Sequence, residues 1–359
     1  MRRIAILAEG SFHRQGAKTA VGVLRYSQDT VVAVIDSTRA GQDAAEALGD
    51  PAGPGRGVPI VASFAEALPF QPDTLLIGIA PIGGRLPDAW RVEALAALRA
   101  GLEVVSGLHE FLADDQKLAA AAHEHHGRIW DVRRPPDDLA MHIREGTPHR
   151  PGSHVVTFCG SDCNVGKMTA CVELDLAAQR RGLSSVFAAT GQTGIMISGS
   201  GIPADRFISD FVSGGVEAMT LDFANRYDWV FVEGQGSLCH PAYSAVTLGL
   251  LHGSAPDFLI LCHEAGRTHI HGYDMAIPPL TAVREMNERA VAWLKPAPVV
   301  AISLNTANLG PDDARAAIEA TVRETGLPTT DPVRFGADVL LDALLARAQP
   351  RGERHLRWN

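Results

Sequence analysis

Short apolar runs that alternate with segments of helical periodicity are the feature that most limits the fold of this sequence. In the first part of the chain the runs cover residues 4–8, 31–35, 74–79 and 102–105. In the second part they cover residues 154–159, 184–189, 229–233, 258–262 and 299–303. Buried strands that alternate with helices are typical of parallel sheets with helices on both faces. The sequence therefore predicts an α/β fold in both parts.

The chain length and one polar stretch predict two domains. The chain has 359 residues, and single domains commonly hold about 100–200. Residues 145–153 (EGTPHRPGS) have neither apolar periodicity nor bulk, which favours a domain boundary there. We expect one domain over residues 1–148 and a second over residues 149–359.

Composition excludes several classes of protein. Apolar residues make up 46% of the chain and charged residues 20%, and the apolar runs are too short to cross a membrane. The 32 basic and 41 acidic residues give a net charge of −9, which disfavours binding to nucleic acid. We expect a soluble globular protein whose partner is a small molecule, and a homodimer as the common assembly of such proteins.

The cysteines indicate a reducing compartment. There are five, an odd number, and none forms a C-x-x-C pair. A disulfide framework or a thiolate zinc site is therefore not expected. We expect a cytoplasmic protein.

A glycine-rich loop is the strongest chemical signal. It runs through Gly160, Ser161, Asp162, Cys163, Asn164, Val165, Gly166, Lys167, Met168 and Thr169. A strand pattern precedes the loop and a helix pattern follows it, so backbone N–H groups, a helix dipole and the lysine ammonium converge on one point. This geometry predicts phosphate binding; the alternative is a glycine-rich turn without a ligand.

The loop departs from the regular phosphate-binding pattern. That pattern has four residues between its glycines and a Ser or Thr directly after the lysine. Here five residues separate Gly160 from Gly166, and Met168 occupies the position of the magnesium-binding hydroxyl. Because a thioether does not replace oxygen at a hard cation, the sequence predicts phosphate binding but not ATP hydrolysis.

Polar residues at the ends of the next two predicted strands are further candidates. Gln192 and Thr193 lie in the segment TGQTG, at the edge where open parallel sheets bind ligands, although the segment could also be an ordinary turn. Glu233 ends a strand at the place of an acid that meets a metal or acts as a base, and a helix cap is the alternative. His240 follows it, as a second candidate base or as a surface hydrogen-bonding residue.

A third candidate segment begins at the end of the predicted strand 258–262. His263, Glu264 and Arg267 are candidate substrate-binding residues, since an arginine fork matches a carboxylate or a phosphate. The nearby His-x-His pair does not supply the ligand set of a zinc site, so we expect no metal. In the first part, Asp36 is placed like the ribose-binding acid of dinucleotide folds, but G-x-G-x-x-G is absent from the first strand end.

Taken together, these motifs resemble a known family along the whole chain. They are GSDCNVGKMT (160–169), TGQTG (190–194), VEGQGSLCHPAYS (232–244), CHEAGRTHI (262–270) and DSTRAG (36–41). The chain is similar to a bacterial and archaeal family with a Rossmann-like N-terminal domain and a P-loop C-terminal domain like dethiobiotin synthetase. One member of that family is assigned as a D-glutamate N-acetyltransferase.

The resemblance implies transfer of an acetyl group from acetyl-CoA to the α-amine of D-glutamate, in D-amino acid catabolism. A phosphate of coenzyme A would sit in the loop through Lys167 and backbone N–H groups, without magnesium. From residue chemistry alone, Glu233 or His240 is the candidate base and Arg267 the clamp on a substrate carboxylate. The alternatives are a ligase or kinase that uses ATP and Mg on a small carboxylate, and a nucleotide-binding regulatory module without turnover.

Overall fold

The computed structural model describes residues 1–13, 16–79, 81 and 83–348. The chain packs as two compact units. One consists of Met1–Pro135 with Gly191–Arg206, and the other of Pro136–Thr190 with Phe207–Asn359. The first unit therefore includes a segment from the second half of the sequence. The single boundary at residues 148/149 stays a prediction.

The first unit is built on one parallel sheet. Its strands are β1 (Arg3–Leu7), β2 (Thr30–Ile35), β3 (Ile60–Val61), β4 (Thr74–Ile77), β5 (Glu103–Ser106) and β6 (Arg128–Asp131). Helices α1 (Lys18–Tyr26), α2 (Ala44–Ala47), α3 (Phe64–Ala67), α4 (Asp88–Arg99) and α5 (Gln116–Glu124) lie between them. The strand order β3-β2-β1-β4-β5-β6 is that of dinucleotide-binding folds. Ile4–Leu7 of β1 are fully buried, as expected for a strand covered on both faces.

The second unit has its own parallel sheet, in the order β12-β11-β10-β7-β9-β8. Its strands are β7 (His154–Gly160), β8 (Ser185–Ala188), β9 (Trp229–Val232), β10 (Phe258–Glu264), β11 (Val299–Asn305) and β12 (Thr329–Thr330). The remaining helices are α6 (Lys167–Arg180), α7 (Gln192–Ser198), α8 (Val212–Arg226), α9 (Ser244–Ser254), α10 (Leu280–Ala292), α11 (Pro311–Thr325), α12 (Pro332–Phe335) and α13 (Asp338–Arg347). Of these, α7 belongs to the first unit. The two parallel sheets confirm the predicted α/β fold.

Helix boundaries follow local chemistry, and α11 illustrates this. Pro311 occupies its first turn together with Asp312 and Asp313, where a missing N–H costs little and negative charge meets the positive end of the helix dipole. Arg323 lies in the last turn, and Gly326 ends the helix in the left-handed region at φ 69°. These signals fix both ends of α11 independently of the rest of the fold.

The stretch after residue 136 is fastened to the second unit. The buried carboxylate of Glu217 on α8 accepts hydrogen bonds from the backbone N–H groups of Glu145, Gly146 and Thr147 at 2.6, 2.7 and 3.1 Å. A Cβ at Gly214 would lie 1.8 Å from the carbonyl oxygen of His142, so the chain can cross α8 only at a glycine. A segment without apolar periodicity is thus held against α8 by hydrogen bonds to one buried carboxylate and by a close backbone crossing at Gly214.

Asp36 has a structural role in the first unit. Its buried carboxylate accepts hydrogen bonds from the N–H groups of Gly10, Phe12 and Thr38 and from the Thr38 hydroxyl. Burial opposes the charged form, but these hydrogen bonds outweigh it and lower the pKa of Asp36. Its oxygens are occupied by the turns after β1 and β2, which argues against a ribose-binding role.

Among the described residues, the longest apolar helices fall short of what a bilayer crossing requires.

Candidate functional site

The predicted phosphate loop, residues 160–169, joins the end of β7 to the start of α6. β7 lies inside the sheet between β9 and β10, so the loop emerges at the carboxyl edge of a buried strand. Gly166 precedes the helix with φ 100°, a conformation that favours glycine. Lys167, Met168 and Thr169 form the first turn, whose amides a helix leaves to a cap or a ligand. The arrangement is suited to an anion.

Lys167 is buried beneath the loop. Lys167 is only 6% exposed, and its Nζ donates a hydrogen bond to the carbonyl oxygen of Asp162 at 2.8 Å. Burial lowers the pKa of this lysine because the charged form loses water. A Cβ at Gly160 would lie 3.0 Å from Nζ, and one at Gly234 would lie 1.8 Å from the carbonyl oxygen of Phe158 and 3.0 Å from the lysine Cδ. Position 234 must therefore be a glycine, because a side chain there would collide with the backbone of β7 and crowd the Lys167 side chain.

The aspartate of the loop is a bracing residue. Asp162 is fully buried; one carboxylate oxygen accepts from the N–H of Cys163, and the other accepts from Nη1 of Arg267 at 3.0 Å and from the N–H of His271 at 2.7 Å. Arg267 also donates to the carbonyl oxygen of Cys163 at 2.8 Å and pairs with Glu264. The predicted carboxylate clamp thus has its charge balanced by two carboxylates of the chain. Its role toward a substrate stays a prediction.

His263, at the end of β10, braces the other side of the loop. Its Nδ1 is 2.7 Å from the hydroxyl oxygen of Ser161. Burial, assisted by the positive charge of Arg267, lowers the pKa of His263 to about 4. The imidazole is therefore neutral at neutral pH and positions the start of the loop as a hydrogen-bonding group.

Glu233 is buried at the end of β9, the strand next to β7. One of its carboxylate oxygens accepts from the N–H of Thr190 at 2.9 Å, and its carbonyl oxygen accepts from the Thr190 hydroxyl at 2.8 Å. The threonine that begins TGQTG thus meets the predicted base. Thr190 was not among the predicted site residues, which were the later Gln192 and Thr193, although a hydroxyl directly after a strand is visible in the sequence.

Gln192 and Thr193 lie on α7, in the packing of the first unit. The Thr193 hydroxyl oxygen is 2.8 Å from that of Thr19 on α1, and a Cβ at Gly107 would lie 2.8 Å from Cγ of Gln192. The structure therefore gives both residues partners inside that unit. Their role in substrate binding stays a prediction.

His240 is buried in the turn that follows β9. It is 1% exposed, stacks on the Tyr243 ring at a centroid distance of 4.5 Å, and meets the edge of Tyr273 at 5.3 Å. Its Nδ1 accepts a hydrogen bond from the N–H of Ala242 at 3.1 Å. Its Nε2 is buried and finds no hydrogen-bond partner within the described part of the chain.

The same histidine lies beside the loop. A ring nitrogen of His240, a carboxylate oxygen of Asp162 and the Sγ of Cys163 lie within 4.8 Å of one another. The turn that carries His240 is tied to β7 because the Ser237 hydroxyl donates to the carbonyl oxygen of Gly160 at 2.8 Å. The structure therefore joins His240 to the loop although nearly eighty residues separate them in sequence.

A cleft of about 510 Å³ opens in the second unit, and Arg267 and His263 line it. The loop after β10, the start of α10 and one face of α11 form its other walls, with Thr268, Leu280 and Glu324 among the lining residues. The cleft is large enough for an amino acid, and it has one cationic and several polar groups in its lining.

Comparisons with known proteins identify both domains. Residues 37–135 match the Rossmann-like N-terminal domain, and residues 142–341 the P-loop C-terminal domain, of a family described as DUF1611, a domain of unknown function. These matches confirm the predicted pair of domain types.

Relatives of known name cover most of the chain. A D-glutamate N-acetyltransferase from Tritonibacter scottomollicae is 41% identical over 286 residues, which are 79% of this chain and 84% of that protein. One from a Pseudoalteromonas species is 37% identical over 281 residues, 78% of this chain and 83% of that protein.

A solved structure agrees over nearly the whole chain. The crystal structure of a DUF1611 family protein from Anabaena variabilis matches with a TM-score of 0.89 and 42% identity, and the match covers 96% of this chain and 100% of that one. The sequence match to the P-loop domain alone spans more than half of the residues. The chain therefore belongs to the DUF1611 family.

Proposed function

We propose that this protein is a D-glutamate N-acetyltransferase, an acyltransferase that moves an acetyl group from acetyl-CoA to the α-amine of D-glutamate. The observation that carries the proposal is the 41% and 37% identity, over nearly four-fifths of the chain, to two proteins of that name. The chemistry available at the phosphate loop is consistent with it.

Acetyl-CoA is the proposed acyl donor. Its pyrophosphate and 3′-phosphate match the first-turn amides of Lys167, Met168 and Thr169, and the lysine ammonium adds a positive charge. Met168 is no obstacle here, because phosphate binding by amides and an ammonium does not require a magnesium-binding hydroxyl. A bound phosphate also compensates the burial of Lys167, since a nearby negative charge favours the charged amine.

Glu233 is the proposed general base. The α-amine of an amino acid is an ammonium at neutral pH, so a proton must leave before the nitrogen can attack the thioester. The support is position: the carboxylate is buried at the end of β9, and the Thr190 N–H fixes its orientation.

The cleft beside Arg267 is the proposed place for the amino acid. Arg267 and Thr268 line it and suit carboxylate oxygens. The role of Glu264, which pairs with Arg267, stays a prediction. The roles of His263, Gln192 and Thr193 toward substrate stay predictions.

A paired assay tests the proposal. Free thiol is measured with acetyl-CoA, and ADP with ATP and Mg, each in the presence of D-glutamate, L-glutamate or no amino acid. We expect thiol release that requires D-glutamate and is unaffected by EDTA. ADP release that requires Mg would instead indicate the ligase or kinase alternative. Thermal stabilisation by nucleotide without turnover in any mixture would indicate a regulatory module.

The cellular setting is proposed on general grounds. We propose a cytoplasmic protein, because an odd number of cysteines without a C-x-x-C pair suits a reducing compartment. A homodimer is the proposed assembly, because cyclic dimers are the commonest of the symmetric oligomers that soluble proteins form. Light scattering of the purified protein tests the second expectation.

A further inference from the structure

We infer that His240 acts as a neutral hydrogen-bond donor, through Nε2–H, to the thioester carbonyl oxygen of the acyl donor. This assignment rests on the proposed function and deepens it. It also separates the two residues that sequence analysis offered as alternative bases, since it leaves proton removal to Glu233.

The tautomer of the ring follows from its backbone partner. The N–H of Ala242 points at Nδ1 of His240 at 3.1 Å, and a backbone N–H can only donate. Nδ1 therefore carries the lone pair. In a neutral imidazole the proton then sits on Nε2, which makes Nε2 a donor.

The surroundings hold this ring in place. Tyr243 stacks on one face with an interplanar angle of 29°, and Tyr273 meets the ring at 87°. The backbone N–H of His240 donates to the carbonyl oxygen of Ser237. The hydroxyl of Ser237 in turn donates to the carbonyl oxygen of Gly160 at the end of β7. The imidazole therefore cannot turn without breaking contacts on several sides.

Nε2 is the unusual atom of this arrangement. It is buried and lacks a hydrogen-bond partner among the described residues, although His240 is in a tightly held turn. Leaving a buried donor unpaired is costly because the donor has lost its hydrogen bonds to water, so such atoms are rare unless a ligand completes them. A nitrogen of the same ring lies within 4.8 Å of an oxygen of Asp162 and of the Sγ of Cys163 in the phosphate loop, where the acyl donor is proposed to bind.

The same bond to Ala242 disfavours the other roles a histidine can play here. A base or a metal ligand needs a lone pair on Nε2, which would move the proton to Nδ1 and set it against the Ala242 N–H. A metal held by Asp162, Cys163 and His240 would also lie next to the Arg267 guanidinium, which already occupies an oxygen of Asp162. His240 is also unsuited to removing a proton from the Cys163 thiol, because that role too needs a lone pair on Nε2.

The chemistry then balances with His240 neutral throughout. The α-ammonium gives one proton to Glu233, and the lone pair freed in this way forms a bond to the carbonyl carbon of the thioester. The π pair moves to the carbonyl oxygen, where Nε2–H stabilises the negative charge. When the C=O bond reforms, the C–S bond breaks and coenzyme A leaves as the thiolate, which takes up the second proton that the attacking nitrogen loses, and Glu233 then releases its proton to solvent. The products are the N-acetyl amino acid and free thiol.

Two substitutions separate a donor from a base. In H240Q the side-chain amide can place an N–H near the position of Nε2, whereas in H240N the shorter amide cannot reach it. We expect H240Q to keep kcat within about tenfold, and H240N and H240A to lose about 10²–10³-fold in kcat with little change in either KM. Equal loss in all three variants, or a loss confined to KM for one substrate, would overturn the assignment.

A spectroscopic measurement tests the tautomer without relying on activity. Proton–nitrogen correlation spectra of protein labelled with ¹⁵N-histidine distinguish a protonated from an unprotonated ring nitrogen, and the His240 signals are those missing from H240N or H240Q. We expect Nε2 protonated and Nδ1 unprotonated, with no change on adding Zn²⁺. The reverse tautomer, or a zinc-dependent shift, would refute the donor even if acetyl transfer is found. If acetyl transfer is absent while Nε2 is protonated, the failure lies in the proposed reaction.

Discussion

The first helix after the first strand begins with a lysine in both sheets, and the two lysines differ in their surroundings. Lys18 starts α1 of the first unit and is exposed, whereas Lys167 starts α6 of the second unit and is 6% exposed. Lys167 is bonded to its own loop, and glycines at positions 160 and 234 leave it space. Similar local sequence at similar places in two parallel sheets has thus produced a surface lysine and a buried one.

Other polar groups near these two helices also differ in how completely the fold satisfies their hydrogen bonds. Asp36, after β2, has its oxygens occupied by backbone and hydroxyl donors of the first unit. Around the second loop, Lys167 is buried and Nε2 of His240 is unpaired among the described residues. A candidate site is therefore marked by polar groups that the fold buries without fully satisfying, more than by the strand order that carries them.

Replacing the two lysines gives the largest expected contrast. In K167M the ammonium is lost from the anion site while most of the buried volume is kept, so we expect kcat/KM for acetyl-CoA to fall about 10³-fold. K18M is the matched control and should keep activity within a factor of about two, because surface substitutions away from a site have small effects. Equal losses in steady-state assays of both variants would mean that the comparison of the two loops is wrong.

The two strand-end carboxylates give the next contrast. We expect E233Q to lower kcat roughly 10²-fold, since the amide cannot accept a proton from the substrate ammonium. D36N is the control: it should leave kcat of the folded protein unchanged but lower the free energy of unfolding by about 1–3 kcal/mol, because a buried hydrogen-bond acceptor is lost. Both values come from steady-state kinetics and denaturant titration. Full activity in E233Q would remove this residue from the mechanism.

The pH dependence of stability tests the second unit alone. Burial lowers the pKa of His149 and of His263 to about 4, below the ordinary value of 6.5. Between these values the unfolded chain binds more protons than the folded one, so stability should rise with pH from about 4 to 6.5 and be lost as pH falls through that window.

Substitutions of these histidines measure the effect. We expect H149Q and H263Q each to reduce the slope of unfolding free energy against pH over that window. The reduction should correspond to at most one proton fewer taken up on unfolding. Denaturant unfolding between pH 4.5 and 7 gives the slopes. An unchanged slope in both variants would contradict the assigned burial of these side chains.

The smallest expected effect concerns magnesium. Because Met168 stands where a regular loop has a hydroxyl, we expect EDTA to change the rate of thiol release by less than a factor of about two. M168T, which restores a hydroxyl at that helix position, should stay equally insensitive with acetyl-CoA as donor. A rate that falls tenfold with EDTA and recovers with Mg²⁺ would favour the ATP-dependent alternative.

Long apolar strands and the phosphate loop were predictable because their signals are local. The four strands predicted in the first part correspond to β1, β2, β4 and β5. The five predicted in the second part correspond to β7, β8, β9, β10 and β11. The strands that were not predicted, β3, β6 and β12, are short and lie at the edges of the sheets. β3 and β12 hold two residues each, and β6 has the sequence RIWD, which lacks an apolar run. Their pairing with a neighbour, and not their own sequence, makes them strands.

The sequence by itself determined the two parallel α/β layers, the loop between β7 and α6, and the polar strand ends at Glu233 and His263, because periodicity and strand-to-helix turns are encoded over a few residues. Only the tertiary structure decided which polar groups are already satisfied. Arg267 proved to be balanced by Asp162 and Glu264, and His240 to accept the N–H of Ala242 and leave Nε2 unpaired among the described residues. The physical reason is that a hydrogen bond depends on the partner that folding brings within reach, and such a partner can lie more than a hundred residues away, as Asp162 does from Arg267.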